Sequence, residues 1–329
     1  MIFLTGDVHH RSLNTPELPY MAPYSEADLA GEYLRIARRH GLKVTLFITG
    51  MTFAEERNGL KHILGHENLE IGGHGFSALG ITAFDRIYRR FFDNHYYRRY
   101  ATECREVEKT VEIISEKTQK KVISWRNHAY IYTKRTVQVL EKNGIKVWSD
   151  MAGENTGWPY YAGDKLINLP VNTCRDHAML YHGPFSEGWI AKKNSLLNCN
   201  YRRAIGMLTG SSYDFRLKRY HADEFLDTLT GQVEARVAKG VAVMNLHPAC
   251  MYVLDEFRTF DKICGFLSKY PSFFMSEAEG FIKTPGARVL KDAGPGAMPG
   301  HTAGGGTEVN GDCKGALKAG MNRPGAYGD

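Results

Sequence analysis

Four short polar stretches stand where apolar runs give out: Thr5-Gly6-Asp7-Val8-His9-His10, His74, Trp125-Arg126-Asn127-His128 and Leu246-His247-Pro248. Their residue types do chemistry. A carboxylate serves as general base or metal ligand, and an imidazole as acid, base or the commonest metal ligand. A guanidinium grips a carboxylate or a substrate anion through paired hydrogen bonds. Asp7 and His9 are two apart on extended chain, so they face one site while His10 points elsewhere. His74 lies between Gly73 and Gly75, whose missing side chains let backbone approach a ligand closely. Arg126 suits the orientation of a carboxylate. His247, fixed by Pro248 at the end of an apolar run, suits a general acid tuned by burial. His177 and His182, in Arg175-Asp176-His177 and Tyr181-His182-Gly183, either complete a metal shell or bind substrate. Each of these also has a purely structural reading, as a capped loop, a core histidine or an internal ion pair.

The elements that must position these groups follow from periodicity and punctuation. Short apolar, β-branched runs predict strands at 1–5, 43–49, 69–73, 121–124, 146–149, 165–171 and 241–246, with a last one near 273–276. Helical spacing predicts helices at 26–40, 52–64, 98–117, 133–143, 222–239 and 256–269. Ser25 reads as an N-cap and Gly41 as a stop for the first of them. Strands alternating with helices mean parallel βαβ units, so the fold class is α/β: a barrel of distorted (β/α)7 type, with an open doubly wound sheet as the rival. Chemistry at the strand ends is where such folds place it. No linker or internal repeat interrupts residues 1–284, which are expected to form a single domain. From Pro285 the chain turns glycine-rich with little apolar periodicity, and residues 285–329 read as a disordered tail.

Bulk properties narrow the classes. The 329 residues, 43% of them hydrophobic, are enough for one large core. The net charge of +6 arises from 42 basic residues interleaved with 36 acidic ones, which gives no reason to expect nucleic acid. Residues 85–100 alone mix five arginines with six aromatics. Such a segment stacks on bases or on sugar faces, and forms a lid or specificity loop if it borders the site. The six cysteines have no CxxC spacing and read as reduced packing residues. With no signal peptide and no run long enough to span a membrane, a cytoplasmic location is the expectation.

In order along the chain, these segments resemble the polysaccharide deacetylase family, the carbohydrate esterases with nodulation-deacetylase homology, over roughly residues 1–280. Leu4-Thr5-Gly6-Asp7-Val8-His9 is similar to a first motif that usually carries two aspartates. Gly73-His74-Gly75-Phe76-Ser77 is similar to the first half of a His-x-x-x-His motif, with Ala78 at the second His position. Trp125-Arg126-Asn127-His128-Ala129-Tyr130 resembles an Arg-x-Pro-Tyr region, Val147-Trp148-Ser149-Asp150 an Asp/Trp strand, and Leu246-His247 a Leu-x-His motif.

The resemblance implies a distorted β/α barrel holding a divalent metal, usually zinc, whose bound water attacks an N- or O-acetyl carbonyl. Carried over, Asp7 is the base, held by Arg126, and His247 is the acid. His9 stands where a metal-binding Asp is expected. With Ala78 lacking an imidazole, the metal set becomes His9 and His74 with His10 or His128, or else His177 or His182. Trp125, Asn127, His177 and His182 are the candidate substrate contacts. The implied reaction removes an acyl group from an amino sugar or a polysaccharide precursor, across a carbon–nitrogen non-peptide bond. One rival is a catalytically silent saccharide-binding barrel. Another is a metallophosphoesterase, whose Asp-x-His opening Asp7 and His9 match but whose Gly-Asp-x-x-x-Arg and Gly-Asn-His segments are missing.

Overall fold

The computed structural model describes residues 1–78, 100–130, 132–133, 135–150, 158–197 and 217–282. The arginine and aromatic segment before Tyr100 and the glycine-rich tail lie outside the described residues. Among the described residues, eight strands form one sheet: β1 (Ile2–Val8), β2 (Val44–Ile48), β3 (Leu69–Gly73), β4 (Ser124–Trp125), β5 (Val147–Trp148), β6 (Tyr160–Tyr161), β7 (Ile167–Asn168) and β8 (Ala242–Asn245). Their spatial order is β6-β7-β5-β4-β3-β2-β1-β8. All neighbours run parallel except β6 and β7. Beyond β7 the chain crosses to the far end of the sheet. Leu169 N donates to Trp148 O of β5 at 2.8 Å, and Asn172 N donates to Val243 O of β8 at 3.2 Å. The Asn172 side chain then accepts from Val243 N at 2.9 Å. That segment ties the two ends of the sheet into the distorted barrel expected of the sequence.

β1, β2, β4 and β8 are buried throughout, as parallel strands under helices must be, and β3 is half-buried at Glu70 and Ile71. The helix Glu26–Arg39 covers β1 and β2 with an unbroken apolar stripe from Ala27 to Ala37, and starts at a capping box in which Ser25 and Asp28 satisfy each other's backbone N–H. Gly6 is required where β1 meets the chain beyond β8, because a Cβ there would lie 2.6 Å from Leu246 O.

The structure shifts several expected boundaries. β1 runs through Val8, because Asp7 and Val8 pair with Phe47 and Ile48 of β2; Asp7 is therefore inside the strand rather than after it. The helix expected over 52–64 is two helices, Gly50–Glu55 and Arg57–Leu64, broken at Glu56 (φ −114°, ψ 53°). The one expected over 256–269 begins instead at Arg258, after a separate helix Pro248–Asp255, because Glu256 and Phe257 both turn left-handed. The last expected strand is a single bridge from Ser272 to Ile2, followed by the short helical turn Met275–Glu277. The two-residue strand β6 was too short to leave a periodic signal.

Candidate functional site

Every polar stretch singled out above leaves the sheet at the same rim. Thr49 N bonds to Val8 O, His74 N to Ile48 O, Arg126 N to Gly73 O and Leu246 N to Thr5 O. The parallel register therefore stacks the C-terminal ends of β1, β3, β4 and β8 side by side, and the residues that follow them converge.

Asp7 lies at the centre. Arg126 Nη1 donates to its Oδ1 at 2.8 Å, and Asn245 Nδ2 donates to its Oδ2 at 3.0 Å. His247 Nε2 stands 3.3 Å from the same Oδ2. Arg126 is fully buried, its guanidinium 4.3 Å from the Phe47 ring and bonded further to Thr5 Oγ1 and Ser149. Burial pushes the Asp7 carboxyl up, but Arg126, His74 and His247 more than reverse this and hold it well below the usual carboxylate range. His247 is the opposite case. Burial lowers it, while Asp176 and Asp7 raise it well above an ordinary histidine. Asp176 supplies two bonds, from the His247 ring Nδ1 at 2.8 Å and from its backbone N at 2.5 Å. A carboxylate kept charged thus faces an imidazole kept protonated, the pairing that acid–base chemistry requires.

Beside Asp7, three imidazoles form a triangle. Ring centroids are 5.2 Å apart for His9 and His74, 5.0 Å for His9 and His128, and 5.4 Å for His74 and His128. His74 Nδ1 donates to Arg126 O at 2.9 Å, and His9 Nδ1 donates to Glu26 Oε2 at 2.9 Å. Each ring thereby turns Nε2 inward with no hydrogen-bond partner, and His128 Nδ1 has none either. His74 Nε2 is 4.0 Å from Asp7 Oδ2, too far for a hydrogen bond. Burial and the charges around it lower His74 to about 3, and burial with His9 and His74 lowers His128 well below its usual value, so both rings are neutral. Glu26 overcomes burial at His9 and raises it. One ligand atom from each of the three lies within 4.8 Å of the others. Orphaned, converging ring nitrogens, two of them on neutral imidazoles, with the opposite nitrogens of His9 and His74 anchored by a carboxylate and a carbonyl, are the donor set of a divalent cation site. The residues present fit that group.

The other expected site residues are placed as follows. His10 points away, its Nδ1 3.0 Å from Thr49 Oγ1. Trp125 is buried against Gly73, its indole N–H donating to Asn127 Oδ1 at 2.7 Å. Ala78 is buried in a left-handed conformation. Ala129 and Tyr130 are also left-handed, a local strain that lets the loop turn His128 inward. His177 and His182 sit apart from the triangle, on the far side of His247, beside Glu17 and Cys250. Sequence reasoning missed Glu26, Asp176 and Asn245. Only the last had a usable signal, lying at the end of β8 two residues before His247.

This arrangement can be set beside known proteins. Residues 22–148 match the polysaccharide deacetylase family. Over that segment the chain is similar to the polysaccharide deacetylases. It shares its fold with a proposed polysaccharide deacetylase from Mycobacterium smegmatis, at 16% identity and a TM-score of 0.57, covering 85% of this chain and 87% of that one. A second such protein, from Pseudomonas aeruginosa PAO1, is similar at 13% identity and a TM-score of 0.49, covering 82% and 75%. No curated protein matches the chain. The matched segment includes His74, Arg126 and His128, but Asp7, His9 and His247 fall outside it. The coarse class that accompanies the family is a deacetylase-type hydrolase. Among the described residues, no helix is long and apolar enough to cross a membrane.

Proposed function

We propose that residues 1–284 form a metal-dependent hydrolase that removes an acetyl group from an acylated amino sugar, cleaving a carbon–nitrogen non-peptide bond. The observation that carries this reading is the juxtaposition of three converging, unpartnered imidazole nitrogens with a carboxylate gripped by a buried arginine. His9, His74 and His128 would hold the cation, and three nitrogen ligands leaving one position open suit zinc. When bound, a divalent cation supplies Lewis acidity, polarising an acyl carbonyl and bringing the pKa of water down toward about 7.

The chain's own groups do the rest. Asp7 Oδ2 accepts a proton from the water whose oxygen attacks the acyl carbon. Arg126 keeps Asp7 in place and prevents it from turning away. As the carbon–nitrogen bond breaks, His247 Nε2 gives its proton to the departing amine, leaving acetate and a free amino sugar. Asp7 Oδ2 and His247 Nε2 are 3.3 Å apart and border one space, so proton uptake and delivery serve the same bond. Asp176 holds the His247 ring with Nε2 aimed at that space.

Metal content by plasma mass spectrometry, in the wild-type full chain and in His74→Ala, tests this reading. At least one zinc, cobalt or nickel per chain, reduced by one in the variant, is the expected result. A protein that takes up no metal after incubation with zinc, or a variant with undiminished content, would overturn it.

A further inference from the structure

A second group of ligand-type side chains lies beyond His247, and the acyl chemistry proposed above makes no use of it. Glu17, His177, His182 and Cys250 come from three separate pieces of chain, and one ligand atom from each lies within 4.8 Å of the others. Glu17, His182 and Cys250 are buried and His177 is half-buried. Glu17 Oε1 is 3.2 Å from His177 Nδ1 and 3.4 Å from His182 Nε2, and His177 Nδ1 is 3.5 Å from Cys250 Sγ.

Two features of this geometry point to a cation. First, His182 Nδ1 donates to Leu180 O at 3.0 Å. Its Nε2 faces Glu17 Oε1 at 3.4 Å, a pair joined by a positive charge, either a proton on the ring or an ion in its place. Second, the separations are those of neighbouring ligands around a tetrahedral ion. Bonds of about 2.05 Å to nitrogen or oxygen and about 2.3 Å to sulfur place N and O ligands about 3.3 Å apart, and N and S ligands about 3.6 Å apart.

We propose that Glu17, His177, His182 and Cys250 form a second cation site, taking a borderline-soft divalent ion of the zinc type through one carboxylate, two imidazoles and one thiolate. Two imidazoles with a thiolate favour zinc or cobalt over magnesium or calcium. The ion binds as Cys250 gives up its S–H proton to solvent. The site would fasten together the start of the helix Leu18–Met21, the stretch from the short helix Asp176–Met179 to His182, and the helix Pro248–Asp255 that follows His247. These are the pieces that hold the His247–Asp176 pair, so the ion would act as a brace behind the acid and would not touch substrate.

Cobalt(II) titration of the reduced, metal-free full chain tests this, because thiolate ligation gives a near-ultraviolet charge-transfer band that an all-imidazole site cannot produce. Two cobalt ions per chain in wild type are expected, one of them with the thiolate band. Cys250→Ser should lose the band and one equivalent, and His182→Asn should lose one equivalent. His74→Ala should lose one equivalent and keep the band. Cobalt uptake with no thiolate band in wild type would overturn the second site while leaving the three-imidazole site standing. A band that survives in Cys250→Ser would also overturn it. One equivalent with the band, unchanged in His74→Ala, would support the second site and count against the first. If Cys250→Ser does not fold, the wild-type spectrum alone still decides whether a thiolate binds the ion.

Discussion

Arg126→Met isolates the interaction on which the site's electrostatics turn. Methionine keeps much of the side chain's length and its contact with Phe47, but removes the charge and four hydrogen bonds. One of these goes to Asp7 Oδ1, one to Thr5 Oγ1 and two to Ser149. Arg126 is 0% exposed, so no water replaces it. Breaking a buried ion pair from one side typically costs about 3–5 kcal/mol, because the surviving charge is left uncompensated. Asp7 would still accept from Asn245 and face His247, which places the expected loss near the lower end, about 3 kcal/mol. Asp7→Asn alone strands the guanidinium and should cost a similar amount. In the double variant neither charge remains, so its cost should fall short of the sum of the two by about 2–3 kcal/mol. Urea unfolding of the four proteins at neutral pH and constant salt measures this coupling. Costs that add to within about 0.5 kcal/mol would refute the claim that these two residues act as one buried pair.

Further expectations follow from neighbouring contacts. Glu26 accepts from both the ring and the backbone N–H of His9. Glu26→Gln should therefore weaken zinc binding about 10–100-fold, as loss of a carboxylate behind a ligating histidine does, and unchanged affinity in a competitive chelator titration would contradict this. Asp7→Asn should lower turnover about 10²–10⁴-fold with metal content unaltered, and retained turnover would remove Asp7 from the role of base. Glu70 is half-buried under Ser124 and Ser276, and burial raises its carboxyl above the usual value. A raised carboxylate contributes stability that is fully present below about pH 4.3 and is lost as pH rises through the folded value. Relative to wild type, Glu70→Gln should accordingly gain in Tm as pH rises from about 4 to about 7. A variant that falls behind as pH rises would reverse the sign.

The convergence of β1, β3, β4 and β8 was legible because strands buried on both faces are continuous apolar runs, and a polar residue at their end has nowhere to go but the rim. Asp7, His74, Arg126 and His247 were singled out on that ground, and the fold brings them together, with Arg126 bonded to Asp7. The partners that arm these residues were hidden. Glu26 reads as an ordinary first-turn carboxylate of a helix, which it also is; only the fold brings it under His9. Asp176 sits in a four-residue helix, too short for any periodicity to announce it. The choice of His128 rather than His10 as third imidazole depends on the left-handed Ala129 and Tyr130, and neither residue type favours that conformation, so nothing local could signal it. Helix boundaries failed for the same reason at Glu256 and Phe257.

The proposed reaction at this rim is hydrolysis of an acetylated amino sugar with metal at the three imidazoles. Acetate release from an N-acetylglucosamine oligomer, followed with zinc-loaded and with chelated full chain, tests it most directly. Acetate release by the loaded wild type is expected, with its loss on chelation and its loss in a metal-loaded Asp7→Asn variant. A fully loaded wild-type protein that binds the oligomer and releases no acetate, while mass spectrometry finds the metal in place, would contradict it and identify the barrel as a saccharide-binding one.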